Sequence, residues 1–103
     1  MNGLGLAKVV CGSYVGTGTY GKDNPTTLTL DFQPKLAMVS SDGETYNHNH
    51  FIWYEGVSKV QRHGNTSYIS CSRSDNTLSW YDSGAAGYQY NNSGTIYYYV
   101  VAG

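Results

Sequence analysis

Apolar and polar residues alternate along residues 26–32, the segment in which the hydrophobic pattern of this chain is clearest. Every second residue is apolar (Leu28, Leu30 and Phe32), and the residues between them are polar (Thr27, Thr29 and Asp31). Successive side chains of a strand point to opposite faces, so this period of two predicts a strand with one core face and one wet face. Pro34 cannot donate to a strand ladder and is expected to end the segment at a tight corner.

Short runs of strand-forming residues recur along the whole chain and are separated by Gly, Asn, Asp and Ser turn signals. We predict about eight strands, at residues 6–14, 26–32, 35–41, 50–56, 57–62, 67–73, 77–82 and 95–102. No segment of useful length has the apolar spacing of an amphipathic helix. The pattern predicts an all-β domain, an antiparallel sandwich or barrel.

Two of these segments are apolar on both faces, the LAMV run near residue 36 and the closing IYYYVV run at residues 96–101. The first is expected to be a central strand that is covered on both sides. For the second, one face should meet the core, and the other should meet either a second sheet or another chain.

The segment GSYVGTGTYG at residues 12–21 is rich in glycine and could be a phosphate-binding loop, a spacer or a sheet corner. It lacks the lysine and hydroxyl of a P-loop and the βαβ context of a dinucleotide site. We interpret Gly16, Gly18 and Gly21 as residues that permit positive φ or close backbone approach in a sharply turned connection.

Composition limits the function classes. The chain has 103 residues, of which 40% are hydrophobic and 13% charged, and its formal net charge is -1. This size predicts one folded domain, residues 1–103. The charge provides no basic field for nucleic acid, and neither a membrane helix nor a signal peptide is predicted. Cys11 and Cys71 are expected to be free, buried thiols, with a single strand-to-strand disulfide as the alternative.

Catalytic chemistry has little support in the sequence. The seven carboxylates are scattered without a recognisable pair, and no nucleophile elbow or metalloprotease motif occurs, so we predict that the chain is not an enzyme. His48 and His50 lie two residues apart and would share a face of an extended segment. They are the candidates for a metal site, with solvated loop histidines as the alternative and no other cofactor expected.

Aromatic and amide side chains are the strongest functional signal. Eleven tyrosines and two tryptophans supply flat faces with few rotatable bonds, and loop asparagines supply hydrogen bonds. The candidate ligand-binding residues, which would stack on and bond to a sugar, are Trp53, Tyr54, Trp80, Tyr81, Tyr88, Tyr90 and Asn91. The two tryptophans sit within predicted strands and are expected to be buried, whereas Tyr88 and Tyr90 are the expected exposed pair.

Three segments together resemble a known family. GSYVGTGTYG, PTTLTLDFQPKLAMV and the terminal NNSGTIYYYVVAG are similar, in order and position, to the C-terminal receptor-binding domain of tail-fibre proteins from phages, prophages and phage-tail-like particles. The matching positions are Tyr14, Gly16, Gly18, Leu30, Phe32, Pro34, Lys35, Leu36, Tyr98, Tyr99, Ala102 and Gly103. The similarity covers about the first 40 residues and the last 12; no binding residue can be transferred from it.

The resemblance implies a lectin-like β-sandwich, a homotrimer about the fibre axis and binding to a cell-surface glycan outside the host cell. It also implies that one face of the closing strand meets a neighbouring chain. Three hypotheses follow: a carbohydrate-binding tip domain of a virion or phage-tail-like particle, a trimerisation module without its own ligand, and, third, a small glycan depolymerase.

Overall fold

The computed structural model describes residues 8–41, 50–61 and 68–103. They form eight strands: β1 (Val9–Val15), β2 (Thr26–Thr29), β3 (Leu36–Ser41), β4 (His50–Tyr54), β5 (Lys59–Gln61), β6 (Tyr68–Ser74), β7 (Thr77–Tyr81) and β8 (Ile96–Ala102). The bounds of each strand differ from those of its predicted segment by a few residues at most. The prediction of an all-β domain with about eight strands is therefore confirmed. Among these residues no helix is long and apolar enough to cross a membrane.

The strands form two four-stranded antiparallel sheets, which makes the molecule a small β-sandwich. The first sheet has the order β1-β8-β3-β4 and the second the order β2-β7-β6-β5. Every strand pair is antiparallel. Some strands that are neighbours in a sheet are distant in sequence, so the chain crosses repeatedly from one sheet to the other.

The core lies between the sheets and is rich in aromatic rings. The Phe51 ring meets Trp80 edge-on at 5.3 Å between centroids and Tyr90 at 5.0 Å. Tyr14 stacks on Tyr97, its register partner, at 5.3 Å. Edge-to-face and offset contacts of this kind are the favoured geometries of aromatic pairs, so the rings stabilise the core as well as filling it.

The two doubly apolar strands, β3 and β8, are neighbours in the middle of the first sheet, so the central position predicted for β3 is confirmed. Its inner residues Ala37 and Val39 are fully buried. The expectation that both faces are covered is wrong for the single chain, because Leu36 and Met38 on the outer face keep about 40% of their surface exposed. The outer face of β8 is similarly exposed, and its inner face meets the second sheet across the core.

The predicted second strand is shorter than its alternation suggests. β2 ends at Thr29, and Leu30 then donates its backbone N–H to the Asn76 carbonyl at 2.9 Å. Leu30 and Phe32 are half-buried and pack against the edge of the core, whereas Leu28 is buried within it. Alternation therefore predicted the correct face, and the early corner reduces how deeply its last two residues are buried.

The glycine-rich segment begins inside β1, and its part from Gly16 onward is a tight connection that packs against residues 91–95. Gly16 donates its N–H to the Thr95 carbonyl and accepts from Gly94. A Cβ on Gly16 would lie 2.0 Å from the backbone oxygen of Asn92, and Gly18 has a φ of 90°. The interpretation that these glycines permit close approach and positive φ is confirmed.

Both cysteines are free, and only one matches its predicted environment. Cys71 is buried on β6, whereas Cys11 is exposed on β1, so the prediction of two buried thiols is wrong for Cys11. Cys11 occupies an outward position of the edge strand, opposite Val100. Burial raises the pKa of the Cys71 thiol to about 12, which keeps it protonated and poorly nucleophilic at neutral pH.

Candidate functional site

A shallow groove of about 250 Å³ lies on the outer face of the second sheet. Ser70 and Ser72 of β6 face outward because Ile69 and Cys71 alternate with them into the core. Ser79 and Tyr81 of β7 do the same on either side of Trp80. The register places Ser70 opposite Tyr81 and Ser72 opposite Ser79, so the four side chains form one compact block. The groove volume suits a small, single-ring ligand.

Lys22 and Pro25 complete the groove from the connection between β1 and β2. Gln89 holds this connection in place from inside the protein. Its Oε1 accepts from the backbone N–H of Gly21 at 2.9 Å, and its Nε2 donates to the Asn24 carbonyl at 2.9 Å. Since these partners flank the rim residues, the buried amide fixes the position of the rim.

Gln89 also binds the strand that carries the tyrosine of the groove. The same Oε1 accepts from the N–H of Asp82 at 3.0 Å, directly after Tyr81. Nε2 donates a second bond to Thr26 Oγ1 at 3.0 Å. One fully buried side chain therefore joins the rim of the groove to its wall.

The polar groups of the groove are available to a ligand. Within the described ranges, the hydroxyls of Ser70, Ser72 and Ser79 make no hydrogen bond to another protein group. Lys22 forms no ion pair there, where the two ion pairs are Lys8–Asp31 and Arg73–Glu55. The described lining also contains no carboxylate. The arrangement can donate and accept hydrogen bonds and contact an apolar ring.

A second groove of about 210 Å³ lies at one end of the sandwich, beside Trp53, Val57 and Arg73. Its charged groups already bind each other: Arg73 donates to the Glu55 carboxylate and to the Pro34 carbonyl. The hydrogen bond from Arg73 lowers the pKa of Glu55. Because its charges are engaged in joining the two sheets, we regard this groove as the weaker candidate.

The structure separates the seven predicted ligand-binding residues rather than bringing them together. Trp53 and Trp80 are buried, as predicted, and donate their indole N–H groups to the carbonyls of Val57 and Gln89, both at 2.8 Å. Trp53 lies beside the second groove, whereas Trp80 lies beneath the first with its side chain on the core side. Tyr81 is the member whose outward side chain lines the first groove.

The predicted exposure of Tyr90 is wrong. Tyr90 is 2% exposed, and its φ of 58° turns the ring from the loop into the core against Phe51. Asn91 is also buried, where its Nδ2 donates to the Thr19 carbonyl and its Oδ1 accepts from the N–H of Thr17. The Tyr90 ring thus fills the core, the Asn91 amide holds the connection after β1, and both side chains are too deeply buried to contact a ligand.

Tyr54 and Tyr88 are exposed, at 58% and 44%, but neither lines the groove. Tyr54 lies on β4, on the outer face of the first sheet. Tyr88 lies in the loop before β8, where its ring is close to Gly84. For Tyr88 the predicted exposure is confirmed, whereas its role in ligand binding stays a prediction.

Of the two candidate metal ligands, His48 lies outside the described residues. His50 is the first residue of β4, half-buried and opposite Ser40. Among residues 8–41, 50–61 and 68–103 no three His, Cys, Asp or Glu side chains are placed to hold a metal ion. A metal site at these histidines stays a prediction without structural support.

Sequence reasoning missed the three groove serines and Lys22. The alternation in SYISCSR and TLSWY does place Ser70, Ser72 and Ser79 on an outer face, so the signal for their orientation was present. The tight turn between β6 and β7 also sets their register locally. What the pattern lacked was the position of Lys22 and Pro25, which lie beside this hairpin because β2 pairs with β7, a strand distant in sequence.

No family model, curated protein or solved structure matches this chain.

Proposed function

We propose that this chain is a receptor-binding tip domain that recognises a cell-surface carbohydrate through the groove on its second sheet. The observation that carries the proposal is the block of Tyr81 with Ser70, Ser72 and Ser79, held on a rigid sheet and open to solvent. Sites built on strands are held more firmly than sites on loops, which favours recognition of a fixed ligand shape.

The chemistry of this block suits a sugar ring. A tyrosine ring offers a flat, partly apolar surface for the C–H face of a pyranose, and its ordering cost is low because it has few rotatable bonds. The three serine hydroxyls both donate and accept, as sugar hydroxyls require. Lys22 adds one positive charge, which would favour a glycan that carries a carboxylate or phosphate.

The biological setting is proposed from the resemblance in the sequence. The order of GSYVGTGTYG, the LDFQPKLAMV corner and the terminal IYYYVVAG favours a tail fibre of a phage or phage-tail-like particle, acting outside the cell as a homotrimer. The sandwich is compatible with that setting. The fibre would present the second sheet to the host surface.

A second candidate is an assembly domain without a ligand of its own. The observation that favours it is the exposed apolar outer face of the first sheet, with Met38, Ile52 and Val100 at its centre. An assembly domain needs such a surface and makes no use of the groove.

Binding of the isolated chain to glycan arrays and to intact bacterial cells tests the proposal. A tip domain should bind a restricted set of glycans, and soluble glycan should compete with cell binding. An assembly domain should bind no surface at any concentration while still self-associating. Release of reducing sugar from the bound glycan would instead identify a depolymerase.

A further inference from the structure

The outer face of the first sheet is an extended apolar surface. In the described part of the chain, nine of the twelve exposed large hydrophobic residues lie on it, each 38–66% exposed. They are Val9, Val15, Leu36, Met38, Ile52, Tyr54, Ile96, Tyr98 and Val100. The other three are Tyr20, Tyr68 and Tyr88. Single exposed hydrophobics are ordinary, whereas a concentration on one face requires an explanation.

The strand register makes this surface continuous across all four strands. Cys11 lies opposite Val100, Val100 opposite Met38, and Met38 opposite Ile52. In the next outward row toward one edge, Leu36 lies between Ala102 and Tyr54. Directly opposed side chains are about 5 Å apart, so these two rows touch. On the other side of the central row, Tyr98 lies between Ser13 and Ser40, with His50 opposite Ser40, and this mixed row separates Val15 and Ile96 from the centre.

The same face carries no Asp, Glu, Lys or Arg on any of its four strands. The outer face of the second sheet is different, because its strands present Ser, Thr, Gln and Lys59 beside Tyr68 and Tyr81. One imidazole, that of His50 at the start of β4, lies on this face. A face without Asp, Glu, Lys or Arg can be buried between copies of the chain without leaving a permanent charge unpaired.

The exposed area fits a specific interface. Two tyrosines at about half of ~150–250 Å² and seven aliphatic side chains at about half of ~60–120 Å² present on the order of 500 Å² of apolar surface per copy. The largest apolar patch on a typical monomer is about 300–600 Å². A specific interface of standard size buries ~800 Å² per partner, of which about 65% is apolar where two identical chains meet. The face is therefore as large as the largest patches of monomers and supplies the apolar area that one partner usually contributes.

We infer that a second copy of this chain covers the outer face of the first sheet. An identical face provides the matching area, the apolar character and the absence of Asp, Glu, Lys and Arg. About a three-fold axis, each copy would share this face between its two neighbours. The inference identifies the surface through which the proposed trimer would form. It does not depend on the glycan groove, which lies on the opposite face.

The test compares Met38→Lys and Ile52→Lys with the matched control Thr27→Lys, which puts the same charge on the outer face of the second sheet. Light scattering during size exclusion should give a multiple of 11.3 kDa for the wild type and the control. Both face variants should shift to the single-chain mass with unchanged circular dichroism. A wild type that is monomeric at high micromolar concentration, or an oligomer that survives both lysines, would overturn the inference.

Cys11 provides a second readout that does not need a charged variant. Its thiol is exposed in the single chain and lies in the central row of the face, whereas Cys71 is buried. Assembly should slow reaction of Cys11 with a thiol reagent about tenfold or more relative to dilute, dissociated chain, because an interface core excludes solvent. An oligomer whose Cys11 reacts as fast as that of the monomer would use another surface and contradict the inference. Glycan binding is measured in a separate experiment. A failure of the carbohydrate proposal would therefore change neither the mass measurement nor the Cys11 reactivity.

Discussion

The Oε1 atom of Gln89 accepts a hydrogen bond from the backbone N–H of Gly21 at 2.9 Å, across 68 positions of sequence. Gly21 precedes Lys22 at the rim of the groove, and a second bond to the same oxygen comes from Asp82, next to Tyr81. A residue that never reaches the surface thus sets the distance between the two sides of the groove.

Gln89→Leu should lower the free energy of unfolding by about 3 kcal/mol or more, because four hydrogen bonds are lost and buried backbone groups are left unpaired at ~1–3 kcal/mol each. Urea denaturation measures the change. The matched control is Gln61→Leu at an exposed position of β5, which should stay within about 0.5 kcal/mol of the wild type. Equal effects for the two variants would show that Gln89 does not organise the connection.

Gly16→Ala should destabilise the fold by about 3 kcal/mol, at the upper end of the usual cost of overpacking. The added methyl would meet backbone, 2.0 Å from the Asn92 oxygen, so no side-chain rotation can relieve the clash. Gly56→Ala is the comparison: its φ is 95° but nothing lies within 4 Å of the added atom. Gly56→Ala should lower the free energy of unfolding by only ~1–2 kcal/mol, the cost of placing a residue with a Cβ in the left-handed region. Thermal melts of both variants measure the difference, and equal costs would contradict the close approach.

Tyr90→Ala should cost about 3–5 kcal/mol, the range for removal of a large buried ring. Tyr88→Ala should change stability by less than about 1 kcal/mol because that ring is 44% exposed. Guanidinium unfolding of the two single variants separates them. Similar small losses would mean that the Tyr90 ring is outside the core after all.

Stability should fall as the pH rises above about 9. Burial raises the pKa of Cys71 to about 12, and it also raises the pKa of Tyr14. In the unfolded chain the thiol has a pKa of about 8.5, so it loses its proton at a lower pH than in the folded chain. The stabilisation that comes from the buried, protonated thiol is therefore complete below that pH and decreases as the pH rises toward the folded pKa of about 12. Urea midpoints at several pH values between 7 and 11 should decline. The decline should be shallower in Cys71→Ala and unchanged in the control Thr27→Ala, which removes no titratable group.

The strands were predictable because each depends on a local alternation. In TLSWY, for example, Leu78 and Trp80 alternate with three polar or amphipathic residues, and that pattern survives in the fold. The apolar outer face of β8 was predictable in the same way, because the IYYYVV run has no polar residue at alternate positions.

The site was not predictable to the same degree. Tyr90 looked exposed because turn-forming residues flank it, but a left-handed backbone at a non-glycine residue sends its ring inward, and no local pattern indicates that. The hairpin of β6 and β7 is local, but the rim of the groove depends on the pairing of β2 with β7 and on hydrogen bonds from Gln89 to a connection more than 60 residues away. Those are tertiary contacts.

The measurement that tests the central claim most directly is glycan or whole-cell binding by Tyr81→Ala beside Tyr68→Ala. Both tyrosines lie on the outer face of the second sheet, but only Tyr81 lines the groove. Loss of one stacking ring should weaken binding about tenfold or more, given ~1.4 kcal/mol per tenfold, while Tyr68→Ala binds like the wild type. Full binding by a folded Tyr81→Ala variant would contradict the assignment of the groove as the carbohydrate site.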